Sequence, residues 1–452
     1  VIGVSATYIF LFILFGAFLE QSGAGRFFID LATGCVGKAK GGTAKVAAVS
    51  CCLFGMVSGS APANVMAVGP LTVPMMEKSG YDKRFAGAVV SVAGTGGQFM
   101  PPIMGSAAFI IAETLGIPYM KVAGAALIPG VLYYLALLFA IDCRSTRLKM
   151  KGLETVPNVL QVLKKDFYLA LPVLLLVYGM AIAKWSPVRS GLWAIIAMFV
   201  VSMLRKDTRM TPKKLAKALK AAAFGSLEVV CVCALAGIMI GMLSLTGLGL
   251  KFSSLLVSLS QGNIVILLVL TMVAGLILGM GMTTTSVYIV LSVLVAPALV
   301  EMGIPDLAAH LFVFYFGILS AITPPVAMAS YAAASVAKDD PMKLGIAAWR
   351  LGLSGYILPF IFIFSPELLM LGEPLAIIQA AITAAIGVFA LSLSLEGFFK
   401  YQINIVFRVL LFGAALLMII SGIVTDLIGL GIIVAIVGPQ WVKKRRERVV
   451  GT

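Results

Sequence analysis

Two long stretches of this chain, 58–130 and 281–352, carry glycine, proline and hydroxyl residues in the same order within apolar sequence. When Pro101-Pro102 is aligned with Pro324-Pro325, further glycines and prolines coincide without a gap. The coinciding pairs are Pro74 with Pro297, Gly80 with Gly303, Gly94 with Gly317 and Pro118 with Pro341. Duplicated hydrophobic segments with matching interruptions are typical of membrane carriers built from internal repeats. The pattern therefore predicts two copies of one structural unit.

Each copy contains two small, polar interruptions. The first is Ser58-Gly59-Ser60-Ala61-Pro62-Ala63-Asn64 in one copy and Gly281-Met282-Thr283-Thr284-Thr285-Ser286 in the other. The second is Gly94-Thr95-Gly96-Gly97-Gln98 in one copy and Ser320-Ala321-Ile322-Thr323 in the other, and each of these precedes a proline pair. Proline removes a helical hydrogen bond and breaks or kinks a helix. We therefore predict helix breaks at Pro101, Pro102, Pro324 and Pro325.

The composition excludes a water-soluble protein. Of the 452 residues, 61% are hydrophobic and only 12% are charged, which is typical of a chain that has the bilayer as its solvent. Because backbone groups in lipid must be paired within the protein, we predict an all-α polytopic membrane protein. The net charge of +15 comes from short basic clusters between apolar runs. This is the positive-inside pattern, and it argues against nucleic-acid binding.

Charge clusters and apolar runs divide the chain into five predicted parts. These are 1–43, an N-terminal scaffold helix and interfacial segment; 44–142, a first inverted repeat; 143–262, scaffold helices with a basic amphipathic arm at 213–220 and a span at 225–246; 263–365, a second inverted repeat; and 366–452, C-terminal transmembrane helices near 372–391, 404–421 and 427–438 with a basic cytoplasmic tail. Because residue 1 is Val rather than Met, we expect further sequence upstream.

Each repeat is predicted to hold a re-entrant hairpin, a broken helix and a full helix. The predicted ranges are 44–76, 85–116 and 120–141 in the first repeat, and 264–300, 308–337 and 345–364 in the second. A hairpin arm such as 44–57 is about 21 Å of helix, too short for a hydrocarbon core of about 30 Å. Counting crossings from the basic cluster at Arg144 places the two hairpins on opposite sides of the membrane.

The polar interruptions predict the chemistry of a binding site. Unwound backbone within lipid leaves carbonyl and amide groups that need partners. Carbonyl and hydroxyl oxygens suit a dehydrated cation such as Na⁺, whereas helix N-termini suit an anion. We predict substrate contacts at Ser60, Asn64, Thr95, Gln98, Thr284 and Thr285.

Other function classes find less support in the sequence. No phosphate loop, paired acids, metal-binding cluster or nucleophile–base constellation is visible, so we predict that the chain is not an enzyme. A channel would need a continuous polar pore or rings of charge, whereas polarity here is concentrated in two clusters. The alternatives left open are a carrier of carboxylates or inorganic anions that works without a binding protein, and an ion channel. His310 is expected at the surface or as a helix cap, and Glu113 and Glu228 at the membrane interface.

Several motifs resemble those of one family, the large membrane subunit of tripartite ATP-independent periplasmic (TRAP) transporters. They are Gly55-Met-Val-Ser-Gly-Ser-Ala-Pro-Ala-Asn-Val65, Gly80-Tyr81 to Phe85-Ala86, Gly96-Gly-Gln-Phe-Met-Pro-Pro-Ile-Met-Gly105 and Thr323-Pro-Pro-Val326. Ser5-Ala-Thr-Tyr-Ile-Phe10 and Ala107-Ala-Phe-Ile-Ile-Ala-Glu113 are most similar to the TAXI branch, whose permeases are often fused polypeptides.

The resemblance implies an inverted-repeat, elevator-type transporter with two re-entrant hairpins and two broken transmembrane helices in the bacterial inner membrane. It implies Na⁺-coupled uptake of small organic anions such as carboxylates or dicarboxylates, without an organic cofactor. The implied partners are a periplasmic TAXI-type binding protein and a small four-helix membrane subunit or fused N-terminal domain. Carried over by motif, the Na⁺ ligands are Ser58, Gly59, Ser60, Asn64, Gly94, Gly97, Gly281, Thr283, Thr284, Ser320 and Thr323.

Overall fold

The chain is all-helical over the residues that the computed structural model describes, which are 3, 7, 9–418 and 422–450. Most of the first eight residues, including residues 5, 6 and 8 of the motif at 5–10, lie outside the described residues, as do residues 419–421 of the span predicted at 404–421. Within the described part, a single isolated β-bridge joins Phe398 and Gln402, and no strand forms. The predicted all-α fold is confirmed.

The N-terminal part and the first repeat form from hydrophobic helices separated by short turns. The helices of this part are α1 (Phe10–Gln21), α2 (Ala24–Val36), α3 (Gly42–Ser58), α4 (Ala61–Lys78), α5 (Lys83–Gly96), α6 (Ser106–Thr114) and α7 (Tyr119–Arg147). Helices α3 and α4 occupy the range predicted as a hairpin and pack along each other. Helices α5 and α6 occupy the range predicted as a broken helix. The nonhelical segment between them, 97–105, contains Pro101 and Pro102.

The segment between the repeats contains α8 (Val159–Asp166), a 3-10 helix (Phe167–Leu169), α9 (Leu171–Ala181), α10 (Pro187–Ser202), α11 (Pro212–Thr246) and α12 (Leu248–Ser260). Thr211 caps α11, since its hydroxyl accepts a hydrogen bond from the Lys214 N–H. The basic arm and the span that we predicted separately form one continuous helix. The junction 220–224 is rich in alanine, which favours an uninterrupted helix.

The second repeat follows the order of the first. It contains α13 (Ile264–Leu278), α14 (Thr284–Leu294), α15 (Ala296–Glu301), α16 (Asp306–Leu319), a 3-10 helix (Ser320–Ile322), α17 (Met328–Ala337), α18 (Pro341–Leu351) and α19 (Leu353–Phe364). Two details differ from the sequence prediction. The second hairpin arm is divided at Val295, just before Pro297, which lacks a backbone N–H. The full helix predicted at 345–364 bends by 41° at Gly352.

The C-terminal part comprises a 3-10 helix (Pro366–Leu369), α20 (Pro374–Glu396), α21 (Ile405–Leu417) and α22 (Ile423–Val450). Among the described residues, α7, α11, α20 and α22 are each long and apolar enough to cross a membrane, and the bent pair α18–α19 adds a fifth candidate span. The other apolar helices, including α3 and α13, are shorter. These helices fit the predicted polytopic membrane protein.

The two repeats pack directly against each other along α5 and α17. The hydroxyl oxygens of Ser91 and Ser330 lie 2.9 Å apart in the buried centre of this contact. At one end of α5, the Arg84 Nε donates a 2.9 Å hydrogen bond to the Asp339 carboxylate. This hydrogen bond and the positive charge of Arg84 lower the pKa of Asp339. These contacts join the first half of one broken helix, α5, to the second half of the other, α17, and they bring the two helix breaks together.

Candidate functional site

The chain reverses between α3 and α4 in only two residues. Gly59 adopts a left-handed conformation with φ of 62°, which glycine reaches without the steric cost of a Cβ. Ser60 then caps α4, since its hydroxyl accepts a hydrogen bond from the Ala63 N–H at 3.4 Å. The carboxyl end of one helix and the amino end of the next therefore lie side by side at this tip.

Asn64 joins this tip to the broken helix of the same repeat. Its side-chain nitrogen donates hydrogen bonds to the carbonyl oxygens of Cys51, at 2.8 Å, and Gly94, at 3.1 Å. Its side-chain oxygen is buried and has no hydrogen-bond partner, and neither has the buried hydroxyl of Ser58. Buried oxygens without partners are uncommon in native proteins. Two neutral oxygens of this kind at one tip are suitable ligands for a dehydrated cation.

Glycine-to-glycine contacts hold the tip against the nonhelical segment 97–105. A Cβ built on Gly55 would lie 2.6 Å from the Cα of Gly97, and one built on Gly59 would lie 2.3 Å from the Cα of Gly105. The Ile103 N–H also donates a hydrogen bond to the carbonyl oxygen of residue 56. Such close backbone approach leaves no room for a side chain at these glycines, so the tip and the nonhelical segment are in direct backbone contact.

The second tip lies between α13 and α14. Gly281 has a φ of 75°, and Thr283 caps α14. The Ser320 hydroxyl lies within hydrogen-bond distance of the carbonyl oxygens of Gly279, at 2.9 Å, and Gly317, at 2.7 Å. Since a hydroxyl donates one hydrogen and keeps lone pairs, the Ser320 oxygen remains available to a cation.

Thr323 lies at the second helix break, beside the pair Pro324-Pro325. Its hydroxyl is 2.7 Å from the Leu319 carbonyl oxygen and 2.6 Å from the Tyr356 hydroxyl of α19. The peptide bond within each proline pair, Pro101-Pro102 and Pro324-Pro325, is cis. The nonhelical residues after Ser320–Ile322 thus face α19 through a hydroxyl pair.

Both tips contact the same short segment of the chain, residues 97–106. The Thr284 hydroxyl donates a 2.9 Å hydrogen bond to the Gln98 side-chain oxygen. The Thr285 hydroxyl lies 2.5 Å from that of Ser106, the residue after the glycine that packs on the first tip. The second hairpin therefore contacts the break of the first repeat through polar side chains of both repeats.

The model for "Tripartite ATP-independent periplasmic transporter, DctM component" matches residues 2–377, which is most of the chain. The chain belongs to the DctM family. Both repeats of this DctM-family chain, with all four polar interruptions, lie inside the matched region.

Curated relatives agree with this assignment. The DctM-family chain is 28% identical over 335 residues to the C4-dicarboxylate TRAP transporter large permease protein DctM of Pseudomonas aeruginosa, which covers 72% of this chain and 76% of that protein. It is 27% identical over 374 residues to the 2,3-diketo-L-gulonate TRAP transporter large permease protein YiaN of Escherichia coli, covering 80% and 84%. It is 26% identical over 334 residues to the isethionate TRAP transporter permease protein DctMQ of Oleidesulfovibrio alaskensis, covering 72% and 51%. These relatives are transporter permeases rather than enzymes, and the family implies an inner-membrane location.

The structure brings most of the predicted site residues of this DctM-family chain to the two tips and two breaks, but not all of them face the junction. Gln98, Thr284 and Thr285 contact the opposite repeat. Thr95 does not, because it is fully buried and its hydroxyl donates to the Ser91 carbonyl of its own helix. Ser60 is engaged as a helix cap.

Three residues at the site were missed by the sequence interpretation. Ser106 and Tyr356 each pair with a predicted hydroxyl, and Gly55 packs against Gly97. Gly55 is the first residue of the family motif at 55–65, whereas no sequence pattern indicates a role for Tyr356. The surface or cap position expected for His310 is wrong, because its ring is buried and lies 2.8 Å from the Tyr288 hydroxyl. The side chain of Glu228 lies outside the described residues, and Glu113 is exposed at the end of α6.

Proposed function

We propose that this DctM-family chain is the large membrane subunit of a sodium-coupled TRAP transporter that takes up small organic anions across the bacterial inner membrane. The observation that carries the proposal is the Thr284–Gln98 contact, which joins the tip of one repeat to the break of the other. Duplicated, interrupted helices that meet at one place are the usual origin of a secondary transporter's binding site.

The coupling ion is Na⁺ in this proposal. At the first tip, the unpartnered oxygens of Ser58 and Asn64 support a cation site, completed by backbone carbonyls near Gly59, Gly94 and Gly97. At the second tip, the hydroxyls of Ser320 and Thr323, with backbone and hydroxyl groups of Gly281, Thr283 and Thr284, form the matching set. All of these ligands are neutral, so a bound Na⁺ keeps its positive charge and favours an anion beside it.

The substrate is a small carboxylate or dicarboxylate held at the junction of the two repeats. Gln98, Thr284 and Thr285 supply side-chain hydrogen bonds there. The amino ends of α4 and α14, which Ser60 and Thr283 cap, supply the positive ends of helix dipoles. The C4-dicarboxylate, diketogulonate and isethionate named for the relatives are all small organic anions.

Charge balance limits the coupling. The membrane potential supplies about 2.3 kcal/mol per charge per 100 mV. Two Na⁺ carried with a dianion move no net charge and gain nothing from that potential. A potential-driven carrier of a dianion therefore moves at least three cations.

The proposed transport mechanism is an elevator. Helices α3–α4 and α13–α14 act as re-entrant hairpins of opposite orientation, and with the broken pairs α5–α6 and α16–α17 they form a transport domain that slides against a scaffold. The short lengths of α3 and α13 and the direct packing of α5 on α17 support this division. Substrate is delivered by a periplasmic TAXI-type binding protein, and a small four-helix membrane component acts as a separate subunit or a fused domain, as the name DctMQ of one relative suggests.

Uptake in proteoliposomes tests the proposal. We expect uptake of a radiolabelled C4-dicarboxylate only when an inward Na⁺ gradient and the soluble binding protein are both present. Na⁺-dependent uptake without any binding protein would instead indicate a self-sufficient carrier. Flux that neither saturates nor requires Na⁺ would indicate a channel and would overturn the proposal.

A further inference from the structure

A basic cavity lies beside the ends of α5, α7, α18, α20 and α21, and none of its lining residues belongs to the two tips. Its volume is about 750 Å³. The charged residues that line it are Arg84, Arg144, Arg147, Lys343, Arg350 and Arg408, with Asp82 and Glu396. Six positive and two negative side chains give the cavity a formal charge of four positive units. The positive-inside pattern assigns these helix ends to the cytoplasmic face.

The positive charge in this basic cavity is incompletely paired inside the protein. Among the described residues, Arg147, Lys343 and Arg350 have no ion-pair partner. Arg144 reaches Asp82 only at 3.8 Å, and its Nε is buried without a hydrogen-bond partner. Buried donors without partners are costly. The cavity therefore offers an arginine-rich site to an anion with several oxygens, since guanidinium groups match phosphate and carboxylate geometry.

Apolar surface continues from the rim of the basic cavity along two helices. On α18, Met342, Ile346 and Trp349 form an exposed stripe at helical spacing, and Ile346 also lines the cavity. On α21, Val406 and Val409 flank Arg408 and are more than half exposed. An anion dissolved in water would gain nothing from these surfaces. A lipid would place its acyl chains on them while its headgroup entered the cavity.

We propose that the basic cavity binds the headgroup of an anionic phospholipid of the inner leaflet. The anionic phosphate oxygens contact Arg144, Arg147 and Arg350, and the acyl chains lie on the apolar stripes of α18 and α21. Basic pockets between transmembrane helices on the cytoplasmic side are a known type of headgroup site. The site brings together the ends of α5 and α18 with those of α7, α20 and α21, so the lipid bridges helices distant in sequence.

Native mass spectrometry of the detergent-solubilised full chain tests this proposal by counting bound phosphatidylglycerol and phosphatidylcholine. We expect wild-type protein to retain phosphatidylglycerol selectively. Each basic residue near a lipid surface contributes about a fivefold factor in affinity, so Arg147→Gln with Arg350→Gln should weaken phosphatidylglycerol binding about 30-fold. Arg147→Lys with Arg350→Lys should retain most of the binding, which separates lost charge from misfolding.

A matched control removes two positive charges from the cytoplasmic face at a different place. Lys213→Gln with Lys217→Gln alters exposed residues of α11 that do not line the basic cavity, and it should bind phosphatidylglycerol as wild type does. Equal weakening in this control, or wild-type binding by the Arg147→Gln, Arg350→Gln variant, would overturn the proposal. Displacement of the lipid by millimolar phosphate or succinate would show a site for soluble anions instead. The readout is binding alone, so its outcome is independent of whether transport requires Na⁺.

Discussion

The Thr284 hydroxyl donates a 2.9 Å hydrogen bond to the side-chain oxygen of Gln98, a residue 186 positions earlier in the chain. Thr284 begins the second arm of the second hairpin, and Gln98 follows the end of α5 in the first repeat. The contact joins non-equivalent parts of the two repeats, a tip and a break. Residues with different roles in each copy therefore contribute to one site.

Thr284→Val should impair uptake. Valine keeps the branched shape but leaves the buried Gln98 oxygen without its donor, which costs about 1–3 kcal/mol. We expect Na⁺-dependent uptake in proteoliposomes to fall about tenfold, with normal membrane insertion. Thr246→Val is the matched control, because the Thr246 hydroxyl is exposed and bonds its own helix. Wild-type uptake by Thr284→Val would remove this hydroxyl from the site.

Ser58→Ala should separate ion binding from folding. The Ser58 hydroxyl is buried without a partner, so its removal should leave Tm in Na⁺-free buffer unchanged or higher. The rise in Tm caused by Na⁺, which measures binding to the folded state, should shrink. Thermal unfolding in NaCl and in choline chloride gives both quantities.

The control for that experiment is Ser50→Ala. The Ser50 hydroxyl is also buried without a partner and lies on the same helix, about two turns from the tip. Its variant should keep the full response to Na⁺. If Ser58→Ala also keeps that response, Ser58 does not bind the ion.

Gly55→Ala should destabilise the first tip. The added methyl would lie 2.4 Å from the Asn64 side-chain nitrogen and 2.6 Å from the Gly97 Cα. Overpacking of this kind costs about 1–3 kcal/mol, and we expect a lower Tm and a weaker Na⁺ response. Gly237→Ala, whose methyl meets no atom within 4 Å, should leave both unchanged. Equal effects of the two substitutions would contradict this reading of the contact.

A disulfide between Ser91→Cys and Ser330→Cys should be compatible with transport. The two hydroxyl oxygens are 2.9 Å apart, and both helices belong to the proposed transport domain. Uptake by the oxidised and reduced double variant should agree within about twofold, because a crosslink within one rigid body does not restrict the movement of that body. The single-cysteine variants control for the substitutions. Loss of uptake on oxidation that a reductant reverses would show that α5 and α17 move relative to each other.

Much of the architecture could be predicted because it depends on local properties. Apolar runs predict helices in a membrane wherever they lie, and the Pro101-Pro102 and Pro324-Pro325 pairs lie between helices as proline chemistry requires. The continuous α11 and the 41° bend at Gly352 were not predicted, because neighbouring packing decides whether a weak break is used.

The sequence by itself determined that this is a helical membrane protein with two related, interrupted units, since hydrophobicity and backbone restrictions act over a few residues. Only the tertiary structure decided which polar groups meet. In the folded chain, the Thr95 hydroxyl bonds a carbonyl of its own helix, and His310 is buried against Tyr288. Thr284 bonds Gln98 of the other repeat. The Ser58 and Asn64 side-chain oxygens have no hydrogen-bond partner. Such pairings depend on how segments far apart in the chain pack against each other, and a pattern within a few residues does not specify that packing.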